Sequence, residues 1–129
     1  YRFVSMAEDR QNRWWLAVEG AGVWLYDPAQ GQIARKITPG LTASSLLSTQ
    51  VSAVYVDDLG LVWANCDPYG VDLIYPNAFT IETFPDNPAD ITDLNAHTIR
   101  GLCEDRQGNI WVGTVEGGIR RYNPATGQM

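Results

Sequence analysis

Short runs of alternating apolar and polar residues, cut by Gly, Asn, Asp and Pro, fill this chain, and that period-2 texture predicts strands. A first run covers Phe3 to Glu8, and a second holds Trp14, Leu16 and Val18 on one face with Trp15 and Ala17 on the other. A third begins at Gly22 and stops before Pro28, where the missing N–H ends a ladder; a fourth covers Ile33 to Ile37. Both faces of the second run are largely apolar, as a sheet packed between two neighbouring sheets requires. The turn Asp9-Arg10-Gln11-Asn12 closes the first hairpin, and its last residue is of a type that accepts positive φ.

The whole pattern recurs at an interval of 48 residues. Trp15, Trp63 and Trp111 keep that spacing, as do Asp9, Asp57 and Asp105, then Gly22, Gly70 and Gly118, then Pro28, Pro76 and Pro124. Four residue types held over two intervals without an insertion define a repeat protein. The period and the strand texture predict an all-β fold of β-propeller blades. Repeat one spans residues 1–50, repeat two 51–98 and repeat three 99–129. The expected strands number four, four and three, because the chain ends where the last outer strand should begin. Ser5, Ala53 and Gly101 are small at the middle of each first strand, which places that strand innermost around the axis. Three blades do not close a ring, so a partial propeller is expected, completed by self-association or by the missing blades of a parent chain. The tryptophans are read as equivalent buried packing residues, and the outer strand of the first repeat recurs in the second as Phe79 to Phe84.

Composition narrows the partners. The net charge of −6 and the pI near 4.5 leave no basic stripe for nucleic acid and disfavour an anionic membrane surface. No apolar run approaches the roughly 18 residues that span a bilayer, and no signal peptide is expected within these residues. The first residue, Tyr1, suggests an excised or processed piece. Cys66 falls at the position of Val18 and Thr114, and Cys103 at that of Ala7 and Tyr55, which reads as two buried free thiols. His97 is the only histidine, so a two-histidine zinc site is excluded. No nucleophile-elbow pattern accompanies it, and no metal, cofactor or catalytic residue is expected.

The stretch GLCEDRQGNIWVGTVEGGIRRYNPATG, residues 101–127, resembles a two-component regulator propeller repeat, with its Asp turn, Trp-Val-Gly-Thr, Gly-Gly and aromatic-Asn-Pro close. Repeat one departs at Ala17-Val18, and repeat two at Asn65-Cys66 and Tyr75. The resemblance implies the extracytoplasmic, periplasmic sensor region of bacterial hybrid histidine kinases, many of which detect oligosaccharides. It therefore implies a non-catalytic ligand-sensing segment, any kinase lying elsewhere in a parent protein. The Asp turn also resembles the Asp-box of sialidase-type propellers, with one extra residue between Asp and Gly. Its carboxylate suits acceptance of backbone N–H bonds.

Two sets of connections open on the same rim: those from the second to the third strand, and those from one blade to the next, 38–50 and 86–98. Loops on a rigid scaffold are where recognition is usually placed. The candidate ligand residues are Glu19, Asn65, Asp67, Tyr69, Asn95, His97 and Glu116. Two other functional classes stay open: a protein-interaction scaffold, and a propeller-class lyase or glycosidase.

Overall fold

The computed structural model describes residues 1–68, 70–83, 98–115 and 118–128. Among them are eleven strands and no helix: β1 (Phe3–Glu8), β2 (Trp14–Val18), β3 (Gly22–Asp27), β4 (Gln32–Ile37), β5 (Val51–Val56), β6 (Val62–Cys66), β7 (Val71–Tyr75), β8 (Thr80–Thr83), β9 (Ile99–Glu104), β10 (Ile110–Thr114) and β11 (Ile119–Tyr122). They form three antiparallel sheets with strand orders β1-β2-β3-β4, β5-β6-β7-β8 and β9-β10-β11. β1 lies against β5, and the Val54 amide donates to Ser5 Oγ at 3.1 Å across the two sheets. The small mid-strand residue is thus where the inner strands meet.

The turn after each first strand has one construction. Oδ1 of Asp9 accepts the amides of Gln11 and Arg13, and Oδ2 accepts the Trp15 indole at 3.0 Å. Asp57 does the same for Leu59, Leu61 and Trp63. Asp105 does so for Gln107, Asn109 and Trp111. The fourth turn residue takes positive φ in each repeat, 60° at Asn12 and 81° at both Gly60 and Gly108. The aspartate and the tryptophan repeat together because they are one hydrogen-bonded unit.

Two buried clusters hold the sheets together. Trp15, Ala17, Val23 and Leu25 of the first pack on Val54, Val62, Ala64 and Ile74 of the second. Trp63, Val71 and Leu73 of the second pack on Ile99, Ile110, Val112 and Tyr122 of the third. The first and second sheets each offer a tryptophan face forward, and the second and third each receive the previous tryptophan on their other face. Trp15 and Trp63 are fully buried, but Trp111 is 37% exposed, which corrects the expectation of three equivalent tryptophans. No fourth sheet covers it among the described residues. Cys103 is exposed for the same reason, and only Cys66 is buried, so the expectation of two buried thiols holds for one. The matching Ala7 and Tyr55 are half-buried against the next sheet.

Candidate functional site

The rim begins with an irregularity in every first strand. The register of β1 on β2 slips between Phe3 and Ser5, that of β5 on β6 between Val51 and Ala53, and that of β9 on β10 between Ile99 and Gly101. One residue is left unopposed each time: Val4, Ser52 and Arg100. Such bulges bend the strand and re-aim a side chain. Just before each bulge the chain is tied back to the end of the second strand. Glu19 donates its amide to Arg2 O at 2.9 Å, Asp67 to Gln50 O at 2.7 Å, and Val115 to Thr98 O at 3.0 Å.

Between the first two sheets these ties enclose a shallow cavity of about 210 Å³ lined by Arg2, Val4, Glu19, Gln50, Ser52 and Asp67. Glu19 is exposed and Asp67 half-buried. The Arg2 guanidinium sits 3.5 Å from Glu19 Oε1 with both side chains largely solvated, so the pair is weak and open to exchange for a ligand. Carboxylates, an amide, a hydroxyl and a guanidinium thus converge on one hollow. They supply acceptors and donors for hydroxyl-bearing molecules.

Of the residues expected to bind, Glu19 and Asp67 meet here. Asn65 does not belong to a loop at all. It ends up 4% exposed inside β6, and its Nδ2 donates to Ser52 Oγ at 2.7 Å and to Ile99 O at 3.0 Å. The amide is a strut between the second and third sheets, which also fixes the bulge residue Ser52. Its Oδ1 is buried with no hydrogen-bond partner among the described residues. Tyr69, Asn95, His97 and Glu116 lie outside the described residues. Arg2, Gln50 and Ser52 were not singled out from sequence. The signal was there, since Arg2, Gln50 and Thr98 stand one repeat apart, as do Glu19, Asp67 and Val115.

The connection leading into the second sheet is anchored by Asp72, fully buried in β7. Its Oδ2 accepts the Leu47 amide at 2.6 Å and the Cys66 thiol at 3.3 Å. Burial first, and then the neighbouring carboxylate, push the Cys66 thiol well above the usual thiol range. This is the reverse of nucleophile activation.

Residues 93–116 match the sequence profile of the two component regulator propeller family. That stretch is similar to a two component regulator propeller repeat. In structure, this propeller segment is similar to the extracellular domain of the hybrid two component system protein BT3049 from B. thetaiotaomicron, with TM-score 0.72 and 25% identity over 98% of the chain. It is similar also to that of BT4673 from the same organism, with TM-score 0.78 and 19% identity over 98% of the chain. The segment covers 16% and 17% of those two chains. Virginiamycin B lyase from Staphylococcus aureus shares the fold, with TM-score 0.60 and 18% identity over 94% of the segment and 41% of the lyase chain. No curated protein sequence matches closely enough to count as a relative. The two B. thetaiotaomicron neighbours are extracellular domains, in agreement with the extracytoplasmic placement implied by the repeat.

Proposed function

We propose that this propeller segment is a non-catalytic recognition module of a bacterial signal-transduction sensor, and that its rim binds an oligosaccharide. The observation that carries the reading is the hollow between the first two sheets, where Arg2, Glu19, Gln50, Ser52 and Asp67 converge on about 210 Å³. A sugar presents several hydroxyl groups, each donor and acceptor, and a few positioned polar groups on a rigid scaffold suit it. The sensor context rests on the family repeat and on the hybrid two component system domains that share the fold. The lyase likeness, at 18% identity, speaks to fold alone and carries no chemistry to this chain.

Saturation-transfer NMR with a panel of neutral oligosaccharides tests the reading. Transfer from the protein to at least one sugar is expected, and Glu19→Gln with Asp67→Asn should abolish it while leaving the circular dichroism unchanged. Absence of transfer across the panel, or transfer that survives the double substitution, overturns this rim as the binding surface.

A further inference from the structure

The hollow between the first two sheets has a hydrogen-bond polarity that is set from inside the second sheet. Nδ2 of Asn65 donates one proton to Ser52 Oγ at 2.7 Å and the other to Ile99 O at 3.0 Å. A side-chain amide has two protons to give, so both are committed. Asn65 is 4% exposed, and solvent does not compete for them. The sense of the amide is fixed as well. Turned over, its Oδ1 would face the Ile99 carbonyl oxygen, acceptor against acceptor. Oδ1 instead stays buried without a donor, which is unfavourable and is outweighed by the two bonds on the other side.

Ser52 is therefore an acceptor toward Asn65, and its own hydroxyl proton is left for another partner. No acceptor among the described residues takes that proton. Ser52 is the unopposed bulge residue of β5, exposed, and lines the hollow with Arg2, Glu19, Gln50 and Asp67. The Glu19 and Asp67 carboxylates there are acceptors, and the Arg2 guanidinium sits on Glu19. Repeats one and three carry neither half of the pair. Val4 and Arg100 stand where Ser52 does, and Ala17 and Gly113 where Asn65 does. All three first strands nevertheless bulge at the same place, so the hydroxyl and the amide are not what makes the bulge.

We propose that Ser52 is the hydrogen-bond donor of this hollow and that Asn65 is the positioning residue that keeps it one. A ligand then presents an oxygen lone pair at Ser52 while its hydroxyl groups donate to Glu19 and Asp67. This rests on the rim reading above and adds the polarity of the contact. The ring and bridging oxygens of an oligosaccharide, which carry no proton, fit Ser52. An ammonium group at the same point is refused, because donor meets donor. Asn65 touches no ligand and acts through Ser52 alone.

Two measurements test this, the first without ligand. In nitrogen-edited NMR of the free protein, both Asn65 side-chain protons should exchange slowly with water. Ser52→Ala should release one of them and leave the other on Ile99 O. Two fast protons, or a pair indifferent to Ser52→Ala, mean that the hydroxyl donates inward, and overturn the inference. For binding, the probe is the panel of neutral oligosaccharides, titrated by saturation transfer. Ser52→Ala should weaken the sugar that binds by about two- to tenfold, the range of one hydrogen bond. Asn65→Ala should fold, since Ala17 occupies the corresponding place in the first repeat. It should weaken binding by at most about threefold, because the freed hydroxyl then spreads over its staggered wells. In that background Ser52→Ala should cost clearly less than it does alone, whereas additive losses overturn the positioning role. Absence of transfer to every sugar overturns the rim reading and the inference with it. Binding that Ser52→Ala leaves unchanged overturns the inference alone.

Discussion

The indole nitrogen of Trp63 lies 3.0 Å from Oδ2 of Asp57, and both residues are buried, at 0% and 4% exposure. The same carboxylate holds two turn amides through Oδ1, so one side chain fixes a turn and orients a core ring. Asp57→Ala should therefore cost about 3 kcal/mol, because a buried indole N–H and two amides lose their acceptor. Urea unfolding of the variant checks the figure. Asp105→Ala removes the same pattern at a solvated site and should cost less.

The tryptophans separate by neighbour rather than by repeat position. Trp63→Ala should destabilise by about 3–5 kcal/mol, the range for large core aromatics. Trp111→Ala should cost clearly less in the single chain, since its outward face is not covered by a further sheet among the described residues. Equal losses in chemical denaturation would show that Trp111 is buried in solution.

Acid should loosen the third turn. The Trp111 indole and then the Asn109 amide hold the Asp105 carboxyl down from 3.8 to about 2. Its folded-state pKa lies below the unfolded value, so over that window the unfolded chain binds more protons. The stability it contributes is present above about pH 4 and is lost as pH falls toward about 2. At Asp9, burial works to raise the carboxyl, but the Arg13 amide, the Trp15 indole and the Arg13 guanidinium outweigh it, so its shift has the same sign. Thermal midpoints measured from pH 5 to pH 2 should fall, and Asp105→Asn should flatten the lower part of the curve.

Gly22 answers two demands at once. Its φ is +82°, and a Cβ there would collide with the Ile37 carbonyl oxygen of the adjacent strand. Gly31, at φ +65°, has no atom within 4 Å of such a Cβ. Gly22→Ala should thus cost more than the roughly 1–2 kcal/mol of left-handed strain that Gly31→Ala incurs. Calorimetric melting of both variants decides it.

The residues legible in the sequence are those whose partners lie within one repeat. Asp9 and Trp15 sit six positions apart, so any repeat that keeps the turn keeps both, and the strand limits follow from the same alternation. Trp111 and Cys103 were placed on the correct strands but given the wrong exposure. Alternation assigns a face, and it is silent on whether another sheet lies beyond that face. Asn65 was mistaken for a rim residue because a polar side chain near a turn looks solvated. In the fold it satisfies Ile99 O in the following sheet, a contact 34 residues away. Arg2 and Gln50 precede their strands, where alternation carries no signal, and at Ser52 a bulge interrupts period-2 alternation by a single residue.

That single residue has a consequence for how such a segment can change. Val4, Ser52 and Arg100 have no partner across the ladder, and all three are exposed, while Asp9, Trp15 and their counterparts fasten the opposite end of each hairpin. Three side chains as unlike as a valine, a serine and an arginine occupy one backbone position without altering the strands around them. Diversity at the mouth is thereby uncoupled from rigidity in the body, and a lineage can exchange what the mouth presents while inheriting the same framework.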